Sequence, residues 1–139
     1  METMRYSDAY LAINTLRTNI MGLDNYFMIK KYEKPVFNID INLCGGMMSG
    51  NGEDGSFRGK VYNDFITFVT FSKHSLYNEE MNHDDILEIS NALTAFDYDE
   101  WIHRPEGKEY EVTKQEFHDL RELFKEAAKD ENIVLLGWW

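Results

Sequence analysis

The stretch from Gly45 to Gly59 holds six of the nine glycines of the chain, with Arg58 inside it and Lys60 just beyond. So few Cβ atoms let backbone N–H groups converge on an anion. A helix beginning after Ser56 as its N-cap would add partial positive charge at the same place. Ser56 and Gly59 would then supply backbone contacts, and Arg58 and Lys60 counter-charge. The spacing is neither a Walker loop nor a dinucleotide fingerprint, and glycines chosen for the turns of a flexible hairpin or Ω-loop are the plainer explanation. A second stretch, Trp101-Ile-His-Arg104, offers a stacking face in Trp101 and a phosphate fork in Arg104. Trp101 as a core anchor, with Arg104 paired to one of the nearby acids, fits the residues equally well. His74 completes the expected ligand-binding set of Ser56, Arg58, Gly59, Lys60, His74, Trp101 and Arg104.

Nucleophilic chemistry has one candidate. Cys44 lies at an expected strand end before two glycines, and His74, His83, His103 or His118 could serve as its base. No spacing singles out a histidine, and a small core residue is the commoner role for a lone cysteine. The histidines lack metal-ligand spacing, and the Asp84-Asp85 and Asp97-Tyr-Asp99-Glu100 groups lack calcium-loop order. The expectation is no metal, no cofactor and no catalytic residue.

The net charge is −11, unevenly spread: residues 1–78 carry eight acidic and eight basic side chains, and residues 79–139 carry seventeen and six. Phosphate backbones need a basic stripe and anionic membranes need basic clusters, so direct nucleic-acid binding and membrane association are not expected. The acidic half reads either as solvated helix faces or as a docking surface for a basic protein, formed by Glu79, Glu80, Asp84, Asp85, Glu88 and the run Asp97 to Glu100. A single cysteine and no apolar run of membrane-spanning length point to a cytoplasmic protein.

These side chains need elements to position them. Residues 8–20 have a helical apolar face of Tyr10, Leu11, Ile13, Leu16 and Ile20, capped by Ser7 or Asp8. Residues 25–31 and 36–43 read as strands, the second by its alternation of Phe37, Ile39 and Ile41 with polar residues. A helix is expected over 57–71, and a short strand or turn over 75–78. Residues 84–96 form a second helix, capped by Asn82, with Ile86, Leu87, Ile89, Ala92, Leu93 and Phe96 inward. Residues 97–107 are expected as a loop. Thr113 and Glu116 have capping-box spacing and start a helix over 114–130, whose face is Phe117, Leu120, Leu123, Phe124 and Ala127. Ile133 to Leu136 forms a last strand, and Trp138 and Trp139 must be tucked away or shared with another copy in a homo-oligomer. The fold class is α+β: about four helices on a small antiparallel sheet, in one domain with 1–20 as an N-terminal helical extension.

The segments Met21-Gly-Leu-Asp-Asn-Tyr-Phe27, Leu43-Cys-Gly-Gly46, Gly55-Ser-Phe-Arg-Gly-Lys-Val-Tyr62, Leu76-Tyr77 and Leu136-Gly-Trp-Trp139 occur together. Over residues 21–139 the chain resembles small phage and bacterial proteins that open on Met-Gly-Leu-Asp and a tyrosine. The resemblance implies a phage setting and, for a phage protein, the host cytoplasm. It also implies action against host defence, by sequestering a signal nucleotide or blocking a host protein. It implies no reaction and no catalytic residue.

Three functions follow as expectations. The first is a non-catalytic binder of a nucleotide-like anionic small molecule, through the residues named above. The second is an acidic interaction module that inhibits a basic partner protein. The third is a hydrolase or transferase using Cys44.

Overall fold

The computed structural model describes residues 22–30, 33–45, 55–104 and 111–139. The expected helix over 8–20 and the centre of the glycine-rich stretch lie outside these residues. Strand β1 (Asp24–Ile29) opens the described chain. Helix α1 (Gly59–Val69), a two-residue strand β2 (Glu80–Met81) and helix α2 (His83–Ala95) follow. A short helix α3 (Tyr98–Ile102), helix α4 (Lys114–Ala128) and strand β3 (Ile133–Trp138) complete it. The fold is α+β, with four helices and an antiparallel sheet of order β1-β3-β2 among the described residues.

The sheet is held in one register by its own pleat. Phe27 faces Leu135 and Ile29 faces Ile133 on the helix side, while Tyr26 faces Leu136 and Met28 faces Val134 on the other. Alternate residues of a strand point to opposite faces, so one residue of slip would turn Phe27 and Leu135 out of the core. That core is aromatic. Phe27 packs edge-on against Phe37 and Phe124, both at 5.6 Å, and Phe65 meets Trp101 at 4.9 Å.

Helices α2 and α4 form because their apolar residues recur at helical spacing and both N-termini are capped. Asn82 and Asp85 exchange side-chain and backbone hydrogen bonds at the start of α2, as Thr113 and Glu116 do at α4. All five residues expected on the inner face of α4 are buried. On α2, Ile86, Ile89 and Leu93 are buried, but Leu87 is exposed.

Three expectations need correction. Residues 36–43 keep the burial alternation of a strand but join no ladder. Asn42 N–H instead donates to Asp119 Oδ2 at 3.1 Å, and Cys44 N–H to the Tyr62 hydroxyl at 2.8 Å. Ser56 does not cap α1. Phe57 exchanges backbone hydrogen bonds with Asn25 across an antiparallel bridge, which holds the chain extended until Arg58, the N-cap residue. Residues 97–107 are not wholly loop, because the Asp97 side chain accepts from Asp99 N–H and starts α3. Residues 75–78 take the turn alternative.

Candidate functional site

The seven residues expected to bind a ligand are dispersed. Ser56 is buried. Arg58 reaches back to Asp24, Nη1 to Oδ1 at 3.3 Å, so its charge is neutralised at the start of β1. Gly59 is buried where no side chain would fit, since a Cβ there would collide with Asn25 and Leu23. Lys60 is half-buried, and its backbone N–H donates to Leu23 O.

Trp101 is 2% exposed, with Phe65 and Phe68 edge-on to its ring. The Arg104 guanidinium covers that ring, and Nη1 donates to Trp101 O at 2.7 Å. A ring so enclosed presents no face on which a base could stack. The core-anchor reading of Trp101 holds. Burial also lowers the Arg104 pKa from its ordinary value. Trp101 and Arg104 are thus engaged with each other and with Phe65 and Phe68, and Arg58 with Asp24.

Cys44 is exposed, against the expectation of a core residue. Its thiol approaches Gly45 O at 4.0 Å. All four histidines are hydrogen-bonded elsewhere. His74 bonds Glu88, His83 the carbonyl of Ala128, His103 that of Asp99, and His118 bonds Arg121. A Cys–His pair, which nucleophilic chemistry would need, is not formed.

His74 does line a cavity, of about 280 Å³, where the end of α1 meets α2 and the start of α3. Its apolar lining is Val69, Phe71, Ala92, Ala95 and Phe96, and its polar lining includes Lys73, His74, Glu88, Asp97 and Glu100. The chain after α1 builds one wall. Thr70 Oγ1 donates to Ile66 O at 2.8 Å and accepts from His74 N–H at 3.2 Å, which folds the backbone back on the helix. Phe71 and Ser72 then adopt φ of +53° and +66°. For a bulky residue such as Phe the left-handed region is disfavoured.

The strained Phe71 is also 91% exposed, at the rim of the cavity. The core does not hold it in this conformation by packing. Phe68 and Ile102 are exposed as well.

A charged cluster shares the cavity lining with Phe71. Buried His74 donates through Nε2 to Glu88 Oε2 at 2.8 Å, and Lys73 Nζ lies 2.7 Å from the same oxygen. These two hydrogen bonds, Lys73 first and His74 second, hold the Glu88 carboxyl below its ordinary pKa. Three carboxylates and one lysine thus surround an apolar floor. Among the described residues no group of three His, Cys, Asp or Glu could hold a metal ion. No helix of the described residues is long and apolar enough to cross a membrane.

The sequence singled out His74 as a ligand residue and Glu88 only as part of an acidic surface, without joining them. Phe71 and Lys73 carried no motif. No family model, curated protein or solved structure matches the chain, so its function must be read from its own residues.

Proposed function

We propose that the protein is a binding module that seats an apolar side chain of a partner protein, flanked by basic residues, in the His74 cavity. The observation that carries this reading is Phe71. It stands in a costly backbone conformation, with its ring in water, over a cavity with an apolar floor. Strain of this kind concentrates at ligand clamps, where binding recovers what folding does not. The rim supports a basic flank, because Glu88, Asp97 and Glu100 outnumber Lys73 there and the whole chain carries −11. Electrostatic complementarity of this sort sets partner choice and association rate more than affinity.

Selection from a random peptide display library against the full chain tests this reading. Enriched peptides should carry an aromatic or aliphatic anchor next to Lys or Arg. Their binding should fall steeply with salt and be lost in Phe71→Ser and Glu100→Lys. Enriched peptides that bind both variants as well as the parent would place the interface elsewhere and overturn the reading.

A further inference from the structure

The acidic half carries a basic face. Lys114, His118, Arg121 and Lys125 recur at intervals of four, three and four along α4. At 100° per residue that spacing puts all four within one narrow stripe. The stripe points away from the buried face of Phe117, Leu120, Leu123, Phe124 and Ala127. Lys114, His118 and Lys125 are exposed, and Arg121 is half-buried.

The first three of these residues line a shallow depression of about 350 Å³, together with Gln115 and Phe117. Among the described residues that line it, none is acidic. Arg121 Nη2 donates to His118 Nδ1 at 2.7 Å, and its guanidinium lies over the Phe117 ring, 5.4 Å from the centroid. Arginine has no acceptor, so this bond places the His118 proton on Nε2, the nitrogen left for another partner. Glu122 Oε1 lies 3.6 Å from Arg121 Nε, but Glu122 does not line the depression.

In a chain of net −11, cationic groups gain most by facing acids. Here a guanidinium is fixed against an imidazole, beside a lysine, in a depression without a carboxylate. An incoming dianion would meet an Arg fork, a His donor and a Lys point charge at once. We propose that this depression is a binding site for a small phosphorylated ligand, with Arg121 and Lys114 as the charge partners of the phosphoryl group and His118 Nε2–H as a neutral donor. The site is separate from the His74 cavity and stands whether or not that cavity binds a partner. The net charge disfavours a polyanion such as nucleic acid, since its neighbouring phosphates would run over acidic surface.

The test is an NMR titration of the full chain with pyrophosphate, with ionic strength held constant by sodium chloride. The His118 ring and the Arg121 side chain should shift along a saturable curve. Arg121→Gln and Lys114→Gln should each weaken binding by about tenfold or more, with the rest of the spectrum unchanged. Malonate, a dicarboxylate of similar size, should bind more weakly than pyrophosphate. Shifts that never saturate, that survive unchanged in Arg121→Gln, or that malonate reproduces at equal concentration would each overturn the assignment.

Discussion

The Asn25 carboxamide oxygen occupies the space a side chain on Gly59 would need: a Cβ built on Gly59 falls 1.7 Å from Asn25 Oδ1. The approach is close because Asn25 cannot retreat. Its Nδ2 donates to Leu76 O at 3.0 Å and to Leu136 O at 3.2 Å, and its backbone is bridged to Phe57. One asparagine thus ties β1 to β3 and to the turn after α1, and the first residue of α1 must be glycine to let it.

Gly59→Ala should therefore destabilise the protein. At an unstrained helix position the same change stabilises, by up to about 1 kcal/mol. Here the added methyl must displace Asn25 from two carbonyls or push α1 outward, and overpacking of this kind costs about 1–3 kcal/mol. Chemical denaturation should show a lower midpoint with an unchanged slope. The double mutant with Asn25→Ala should fall short of the summed single losses, because both act at one contact. Additive losses would show that Asn25 and Gly59 are independent.

Tyr62→Phe probes the segment that reads as a strand but has no ladder. The Tyr62 hydroxyl accepts from Cys44 N–H and donates to Glu116 Oε2 at 2.5 Å. Burial pushes the phenol far above its ordinary pKa, so it is a donor at neutral pH. Removing it leaves the Cys44 N–H and one Glu116 oxygen short of a partner, at a cost of about 1–3 kcal/mol. The Cys44 amide should exchange with solvent faster in the variant, while amides of α2 change little. Equal exchange at Cys44 would show that the hydroxyl does not anchor residues 41–45.

The Glu88 cluster makes a pH prediction. A carboxyl with a pKa lower in the folded than in the unfolded chain stabilises above its unfolded value, about 4.3. That contribution drains as pH falls through the lower, folded value, because the unfolded chain takes up its proton first. Glu88 should thus titrate below other exposed glutamates in carbon-detected NMR, and Lys73→Met should raise its midpoint toward theirs. A Glu88 midpoint that ignores Lys73→Met would remove Lys73 as the main cause of the shift.

Trp101→Ala should behave as a core deletion, costing about 3–5 kcal/mol. The enclosed ring, packed on Phe65 and Phe68, sets that expectation. Thermal unfolding measures it. A variant that keeps its stability would return Trp101 to the role of an exposed stacking face.

How far the sequence revealed all this depends on which interactions are local. Helices α2 and α4 were legible because apolar period and capping box are written within one turn of each other, at Asn82–Asp85 and Thr113–Glu116. The alternation over residues 36–43 reported burial correctly: Phe37, Ile41 and Leu43 are buried and Asn38, Asp40 and Asn42 exposed. It could not report the partner, because Asp119 and Tyr62 are distant in sequence. The start of α1 was misplaced for the same reason, since the bridge from Phe57 to Asn25 is a tertiary contact. At the site, His74 drew notice as a residue type, but its cavity depends on a positive φ at Phe71 that no local motif encodes. The α4 stripe was legible in spacing and was hidden by counting charge over the whole acidic half.

Phe71→Gly separates stability from function. Glycine enters the left-handed region freely, whereas an L-residue pays about 1–2 kcal/mol there. A ring 91% exposed forfeits little burial when it is removed. The larger backbone entropy of glycine in the unfolded chain offsets part of the gain. The melting temperature should hold or rise by a few degrees, while binding of any peptide selected on the parent chain is lost. Most exposed aromatics show neither effect on removal, so the pairing of the two marks a residue kept strained for a partner. A marked fall in melting temperature would mean instead that Phe71 supports the fold, and the clamp reading would go with it.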